Sequence, residues 1–180
     1  MGPGGCLRRL CAGCLLRGRT YRNTRPYVPE IRCGKVVRVY DGDTVHLVFR
    51  RPGAWRSAAR LRVRLAGLDC AEVRAADPDE RWVALRSKRL LEGRVLGRIV
   101  TVVPPLRWDK YGRLLVDLAV PGVPSISAWM IRHGDGVPYD GGTKAAVDWG
   151  ARRRRQEDTI ATPPGRRWYG FWHSTSKRSR

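Results

Sequence analysis

The sequence predicts an α+β fold that is mainly β: a five-stranded, partly open barrel with a helix after the third strand and helices at its C-terminal end. Three observations carry this prediction. Short segments rich in β-branched residues occur in the order three strands, one helix, two strands. The third segment alternates strictly between apolar and basic residues, as in a strand with one face on a core. Clusters of Gly, Pro and Asp separate the segments and are typical of turns.

The first two strands form a hairpin. Lys35–Tyr40 is a β-branched strand, Asp41-Gly42-Asp43 is a tight turn, and Thr44–Phe49 is the partner strand. A polar, Arg-rich loop leads to the third strand. The two faces of that strand carry different side chains: Leu61, Val63 and Leu65 on one, and Arg60, Arg62 and Arg64 on the other. We expect the apolar face to enter a core and the other face to project three guanidinium groups.

The first helix runs from Asp77 to about Leu96, with acidic residues at its start and arginines near its end, as the helix dipole favours. A fourth strand spans about Arg98–Val103, and a turn at Trp108–Gly112 leads to a fifth strand at Leu114–Val120. These elements in this order are those of the OB-fold, a five-stranded Greek-key barrel.

Further helices are predicted at the C-terminal end. Ser125 caps a short helix, and residues 143–155 form a last helix. The folded domain is therefore predicted at residues 34–155. Residues 1–33 form a basic Cys- and Arg-rich tail, disordered or anchoring, and residues 156–180 form a basic and aromatic tail.

The charge of the chain indicates a polyanionic partner. Its 36 Lys and Arg outnumber 16 Asp and Glu, which leaves a net charge of +20. A surplus of that size points to nucleic acid or an anionic membrane surface, and it argues against a small neutral ligand as the sole partner. The 5 cysteines are an odd number and do not suggest a disulfide framework. Because the first residues also lack an uninterrupted apolar leader, we expect an intracellular, non-secreted protein in a reducing compartment.

Most of the carboxylates lie in the predicted domain, where three segments place acids beside arginines. Asp41-Gly42-Asp43 by itself is a hairpin turn. Arg64–Glu72 ends with two acids three residues apart, which by themselves are equally a capping box or a surface ion pair. Trp108–Arg113 by itself is an ordinary β-turn with solvated charges. The three segments become informative as a set.

The set matches what cleavage of a phosphodiester requires. A hard cation needs oxygen ligands, which Asp43, Asp69 and the backbone carbonyl of Cys70 can supply. The attacking water must be deprotonated or oriented, a task suited to Glu72. Charge that accumulates on the phosphoryl oxygens needs preorganised cations with a planar fork. Two arginines that start on different strands supply such forks and can clamp the group from two sides: Arg64 and Arg113.

These segments resemble the thermonuclease, or staphylococcal nuclease-like, family. The resemblance is carried by Val39–Val45, Arg64–Glu72, Asp109–Arg113 and Ala128–Gly134, and it covers about residues 34–155. Such motifs in one order and at compatible spacing are far more specific together than singly. Two flanking segments are similar to the short nucleases of large DNA viruses and to membrane-anchored plant relatives: Asn23–Lys35 and Val137–Lys144.

The resemblance implies an OB-fold enzyme that depends on Ca²⁺, hydrolyses DNA and RNA with low sequence specificity, breaks the 5′ P–O bond and leaves 3′-phosphate ends. It also implies a role for each matching position. Asp43, Asp69 and the Cys70 carbonyl are calcium ligands, Glu72 is the base, Arg64 and Arg113 bind phosphate in the transition state, and Lys110, Tyr111 and Tyr139 line the nucleotide pocket.

Two departures from the family pattern fall on the site. The family commonly has a proline directly before the glutamate, whereas this sequence reads Cys70-Ala71-Glu72. We therefore expect a looser loop and a lower rate, without loss of activity. Near Tyr139 the spacing is one residue shorter than in the secreted bacterial enzymes.

The two tails leave alternatives open. Cys6, Cys11 and Cys14 are candidates for S-acylation, which together with nearby basic residues would hold the protein on an anionic membrane. A zinc site that includes Cys33, or no role at all, are the alternatives. The C-terminal run Arg166–Trp172 mixes cations with aromatic residues and predicts a non-specific nucleic-acid contact, a nuclear-localisation signal or a solvated tail.

Three functions fit these observations: an active Ca²⁺-dependent nuclease, a catalytically weak OB-fold protein that binds nucleic acid, and a packaging protein. The enzyme is favoured because every acidic and arginine position of the motif set is filled. We expect a monomer with DNA and RNA as partners, located at a membrane or in the nucleus; a virus-encoded protein would act in the host cell or the virion.

Overall fold

The computed structural model describes residues 16–51, 57–142 and 146–161. In chain order the described elements are β1 (Cys33–Asp41), β2 (Thr44–Arg50), β3 (Ala58–Leu65), β4 (Leu68–Asp69), α1 (Pro78–Val95), β5 (Ile99–Trp108), β6 (Leu114–Ala119), α2 (Ile126–Arg132), β7 (Val137–Pro138) and α3 (Trp149–Ala161).

Five of the strands close into a barrel in the order β1-β2-β3-β6-β5. The pair β3–β6 is parallel and the other four pairs of the barrel are antiparallel. Pairing of Cys33–Lys35 with Ile99–Thr101 completes the closure. The predicted α+β fold, a five-stranded OB-type barrel with a helix after its third strand and helices at the C-terminal end, is confirmed.

The alternating third strand behaves as its pattern predicts on the apolar side. Val63 and Leu65 are fully buried, and Leu61 packs against the same core. Arg60 and Arg62 on the other side are exposed. Arg64 differs, since only 12% of its side chain is exposed. It turns inward because carboxylates lie within reach, which the strand pattern does not reveal.

A two-stranded ribbon, β4 with β7, lies outside the barrel and was not predicted. It pairs Leu68 with Pro138 and Asp69 with Val137. Two residues carry no periodicity from which a strand could be recognised. The ribbon depends on a close approach at Gly136, where an added Cβ would stand 2.1 Å from Leu68 Cδ1. It brings residues from the C-terminal third of the chain onto the end of the third barrel strand.

The helix starts follow their caps. The Asp77 carboxylate accepts the Asp79 N–H at 3.0 Å, and the Ser125 hydroxyl accepts the Ala128 N–H at 3.0 Å, as the sequence predicts for α1 and α2. The last helix begins at Trp149, later than the predicted residue 143. The carboxylate of Asp148 caps it by accepting the Ala151 N–H at 2.8 Å.

Part of the predicted N-terminal tail packs on the barrel. Ile31 is buried in the core, Val28 packs against it, and the Trp108 indole donates to the Tyr27 carbonyl at 2.7 Å. The predicted domain limits of 34 and 155 stay predictions. So do the roles of Cys6, Cys11, Cys14 and the run Arg166–Trp172, which lie outside the described residues. Within the part of the chain that is described, no helix combines the length and apolar character needed to cross a bilayer.

Candidate active site

Three chain segments meet at one guanidinium group. Asp43 stands in the β1–β2 turn, Arg64 lies directly across from Thr44 in the β2–β3 register, and Asp69 belongs to β4. Arg64 Nη1 lies 2.5 Å from Asp43 Oδ2, and Arg64 Nη2 lies 2.7 Å from Asp69 Oδ1. The two carboxylates predicted as metal ligands are therefore joined through the arginine predicted to bind phosphate.

The two carboxylates have little contact with water, since the exposed fractions of Asp43 and Asp69 are 4% and 6%. Asp43 also accepts a hydrogen bond from the Thr44 hydroxyl at 2.7 Å. Burial, followed by the charge of Asp41, raises the pKa of Asp43 to about 7, against the opposing effects of Arg64 and Thr44. One guanidinium does not compensate for so much negative charge, so an additional cation is favoured here.

The turn that carries Asp43 is seated on Cys70. A Cβ added to Gly42 would stand 2.9 Å from the Cβ atoms of Cys70 and Ser87, so this position requires glycine. The Cys70 thiol donates to the Asp135 carbonyl at 3.2 Å. Burial, followed by the charge of Asp43, raises the pKa of the Cys70 thiol well above its usual value, which keeps it protonated. The side chain of Cys70 therefore contributes packing, and its backbone carbonyl remains the group predicted to reach a metal.

The donor set suits a hard cation with few protein ligands. Asp43 and Asp69 offer carboxylate oxygens, which calcium and magnesium prefer. Across the described residues, however, no three His, Cys, Asp or Glu side chains lie together as a metal-binding group. A bound cation would therefore take its remaining ligands from backbone carbonyls, water or a phosphate. It would also compete with Arg64 for the negative charge of the same two carboxylates.

Glu72 lies at the opening of the site. Its side chain is exposed, and its backbone N–H donates to Glu80 Oε1 at 3.1 Å. A cavity of about 370 Å³ is lined by Glu72 together with Asp43, Arg64 and Arg113. The carboxylate predicted as base thus shares a cavity with one predicted metal ligand and both predicted phosphate-binding arginines.

Ala71, which stands where the family pattern commonly has proline, is held by packing. It is buried against Val83 and Ala84 of α1. A side chain wedged against a helix restrains the backbone between Asp69 and Glu72 without a pyrrolidine ring. This contact opposes the loosening that the sequence predicts, and its effect on the rate stays a prediction.

Arg113 is oriented by Asp109. The two oxygens of Asp109 accept the Arg113 backbone N–H at 2.9 Å and the Arg113 Nε–H at 2.7 Å, and the first oxygen also accepts the Tyr111 N–H at 2.8 Å. Burial alone would raise the pKa of Asp109, but the hydrogen bonds from Arg113 and Tyr111 outweigh it and lower that pKa. The contact uses Nε and leaves the Nη groups of Arg113 as the ones to contact phosphate.

A second, larger cavity of about 1130 Å³ adjoins the first and shares Arg64, Glu72 and Arg113 with it. All three residues predicted for the nucleotide pocket line it. Tyr139 donates from its hydroxyl to the Gly142 carbonyl at 2.8 Å, and the Arg64 guanidinium lies 5.8 Å from its ring centroid. The ring of Tyr111 is exposed between Lys110, at 5.1 Å, and Arg113, at 5.3 Å. The space and its aromatic lining suit a nucleoside.

A buried network behind the site was not predicted. Asp135 is ion-paired with Arg86, and its carbonyl accepts the Ser87 hydroxyl at 2.9 Å. Gln156 donates to the Gly134 carbonyl at 2.8 Å. These contacts connect α1 and α3 to the segment that precedes β7. The Asp135 carbonyl of that segment accepts the hydrogen bond from the Cys70 thiol. Asp135 lies between two glycines, a pattern typical of a loop, so the sequence does not indicate that it anchors a buried network.

Comparison with known proteins points to endonucleases. No known protein-family profile matches the sequence. The chain is 32% identical over 107 residues to proteins named "Uncharacterized endonuclease" from Escherichia coli O157:H7 and Escherichia coli, with 59% of this chain and 61% of each relative covered. It is 30% identical over 130 residues to a "Probable endonuclease" of Schizosaccharomyces pombe, with 60% of this chain and 56% of that protein covered.

The chain thus spans about three-fifths of the length of the curated relatives it matches. Relatives named as endonucleases support a nuclease at a coarse level. The thermonuclease family, the metal and the products stay predictions.

Proposed function

We propose that this chain is a Ca²⁺-dependent nuclease that hydrolyses phosphodiester bonds of DNA and RNA with low sequence specificity and leaves 3′-phosphate ends. One observation carries the proposal. A cavity of about 370 Å³ brings Asp43, Arg64, Glu72 and Arg113 together from four separate segments of the chain. The endonuclease-named relatives support the same reaction class.

Two arginines would hold the scissile phosphate. Arg64 is the second-to-last residue of β3 and Arg113 directly precedes β6, and these strands are parallel neighbours through the pairing of Val63 with Leu114. Both guanidinium groups reach the same cavity and can donate to different phosphoryl oxygens. Their positive charge is in place before negative charge develops on the phosphorus centre, which is the arrangement that stabilises such a transition state.

Glu72 would take the proton of the attacking water. Its carboxylate is exposed at the edge of the cavity, so water and substrate both have access to it. The water oxygen bonds to phosphorus while the bond from phosphorus to the 5′ oxygen breaks. The 5′ oxygen leaves as a hydroxyl after taking a proton from solvent, and the phosphate remains on the 3′ oxygen. The proton on Glu72 then returns to solvent.

A calcium ion held by Asp43, Asp69 and the Cys70 carbonyl would act as a Lewis acid on a phosphoryl oxygen. A cation on these carboxylates would weaken the two ion pairs that they make with Arg64. The guanidinium of Arg64 could then donate to phosphate oxygens, which is the role the sequence predicts for it.

The engagement of Arg64 with both carboxylates also favours a second candidate, a nucleic-acid-binding protein with weak or no catalysis. If the two ion pairs persist when nucleic acid binds, the carboxylates stay engaged with Arg64 and do not bind a metal cation. The guanidinium of Arg64 likewise stays engaged and does not bind the phosphate. Basic and aromatic groups around the larger cavity would still bind a strand. The same assay separates the two candidates.

Plasmid DNA and single-stranded RNA are incubated with the protein plus Ca²⁺, plus EGTA, and with the variants Glu72→Gln and Glu30→Gln. Glu30, exposed ahead of β1 and outside the lining of both cavities, provides a control with the same chemical change. We expect cleavage that needs Ca²⁺, is lost with Glu72→Gln and is retained with Glu30→Gln. Products should become extendable by a polymerase only after phosphatase treatment. Cleavage in EGTA would contradict the calcium site, and binding without cleavage would establish the second candidate.

A further inference from the structure

The outer face of β1, β2 and β3 carries two rows of cations. In one row Arg38, His46 and Arg62 lie directly opposite one another across the three strands. In the next row Lys35, Val48 and Arg60 do the same. We name the four cations of these rows the basic face: Lys35, Arg38, Arg60 and Arg62. All four are exposed.

The basic face has no internal counter-charge. The only carboxylate within β1, β2 and β3 is Asp41, at the turn end of β1. Like charges on the same face of a sheet are unfavourable unless anions compensate them. Burial lowers the pKa of His46 first, and the nearby charges of Arg60, Arg38 and Arg62 lower it further. An arrangement with this electrostatic cost is explained by a partner that supplies negative charge.

The spacing of the rows suits successive phosphates. Neighbouring strands lie about 4.8 Å apart, so the two arginines of one row have Cα atoms about 10 Å apart. The rows follow one another along the strands at roughly 7–10 Å. Long side chains cover these intervals, so adjacent cations can reach consecutive phosphates of one strand.

The face is continuous with the candidate active site. Arg38 and Tyr40 line the smaller cavity with Asp43, and Arg62 lines the larger cavity. The Arg62 guanidinium lies 4.9 Å from the Tyr40 ring centroid, so one contact joins the rims of both cavities. A polymer that enters the site therefore meets the basic face directly, whereas a mononucleotide does not need to.

We propose that the basic face is a phosphate-binding track that holds the nucleic-acid strand beyond the scissile phosphate, so that the preferred substrate is a polynucleotide. This inference rests on the proposed function, whose site it extends. Nucleic acid is favoured over an anionic membrane because the two rows lead into a cleft with aromatic side chains. A planar membrane surface has no need of that connection.

The test measures binding without turnover, in EGTA and in a Glu72→Gln background. Fluorescein-labelled 20-nucleotide single strands and a labelled dinucleotide are titrated at several salt concentrations against Lys35→Ser/Arg60→Ser, which removes the row that lines neither cavity. The matched control is Arg89→Ser/Arg132→Ser, which removes two exposed cations from α1 and α2. Each lost phosphate contact lowers the slope of log K against log salt by about 0.7 for single strands, so we expect a decrease of about 1.4 for the 20-mer.

The dinucleotide should bind all of these proteins equally, and the control should keep the full slope. A second variant, His46→Glu, places a carboxylate between the two arginines of its row and removes like-charge repulsion. It should weaken binding of the 20-mer while the melting temperature holds or rises, which separates loss of the track from loss of the fold.

Equal slopes in the two double variants would overturn the track. An equal loss of affinity for the dinucleotide would also overturn it. So would a parallel titration in which the substitutions weaken binding only to vesicles that contain phosphatidylserine. A protein that binds through the track but never cleaves would refute the nuclease and leave this inference standing. A protein that cleaves with an unchanged slope would refute only the track.

Discussion

The guanidinium of Arg64 lies 2.7 Å from the carboxylate of Asp69, although the chemistry of phosphodiester cleavage assigns the arginine to phosphate and the aspartate to a metal ion. The same guanidinium is paired with Asp43. In this arrangement the guanidinium of Arg64 offsets part of the negative charge of the two carboxylates. Binding of a metal cation and binding of the phosphate are then linked, because a cation on the carboxylates and a phosphate on Arg64 both weaken the same two ion pairs.

We therefore expect Ca²⁺ and nucleotide to strengthen each other's binding by roughly 5- to 150-fold. Calorimetric titration of Ca²⁺ with and without a 5′-phosphorylated dinucleotide, in the Glu72→Gln background, measures the coupling. In Arg64→Gln the arginine no longer competes for Asp43 and Asp69, and the coupling should disappear. Equal Ca²⁺ affinities with and without dinucleotide would show that the two partners of Arg64 do not exchange.

Arg113→Ala should lower kcat by about 10²–10³-fold, or about 2.7–4 kcal/mol, by analogy with loss of one preorganised donor to a developing oxyanion. Arg113→Lys keeps the charge but not the fork and should recover only part of the rate. Single-turnover cleavage of a labelled 20-mer gives both values. Arg132→Ala, on the surface of α2, is the matched control and should cleave normally. A near-normal rate in Arg113→Ala would mean that Arg113 does not contact the reacting phosphate.

Asp109→Asn should disturb Arg113 and change the acid sensitivity of the protein. Against the effect of burial, hydrogen bonds from Arg113 and Tyr111 lower the pKa of Asp109 in the folded state below its ordinary value, so its stabilising effect is complete above the ordinary value and is lost as pH falls through the folded pKa. Melting temperatures of the wild type and the variant should differ at pH 6 and converge as the pH falls through the lowered pKa of Asp109. A difference that stays constant over this range would show that Asp109 acts through packing and not through its charge.

Gly42→Ala should destabilise the protein by about 1–3 kcal/mol, because the new Cβ must displace Cys70 and Ser87. Gly93, in α1, has nothing within 4 Å of an added Cβ. Gly93→Ala should therefore stabilise by about 0.5–1 kcal/mol through helix propensity. Urea denaturation gives both free energies of unfolding. Equal effects of the two substitutions would contradict the seating of the Asp43 turn on Cys70.

The local elements of the fold were predictable because each depends on neighbours in the sequence. The hairpin around Gly42, the alternation that ends in Val63 and Leu65, and the caps Asp77 and Ser125 all follow from interactions within a few residues. The start of α3 was not predictable to the residue, since its cap at Asp148 competes with other polar residues nearby.

The candidate site divides in the same way. Residue types and spacing selected six positions, and the family resemblance added Lys110, Tyr111 and Tyr139. The structure places these nine residues around adjoining cavities, with Asp69 beside Cys70 and Glu72 in a third cavity of about 430 Å³. Sequence could not show that Arg64 bridges Asp43 and Asp69, that Ala71 is wedged against α1, or that Asp135 supports Cys70.

The sequence by itself therefore determined the class of fold and the chemical inventory of the site, because periodicity, caps and residue types act locally. Only the tertiary structure decided which charges are paired, which are buried and which rows of cations face one another. Those outcomes depend on contacts such as Asp69 with Val137, between residues far apart in the chain. The energies of these contacts depend on the distances between the groups and on the exclusion of water, and both are set only when the chain has folded.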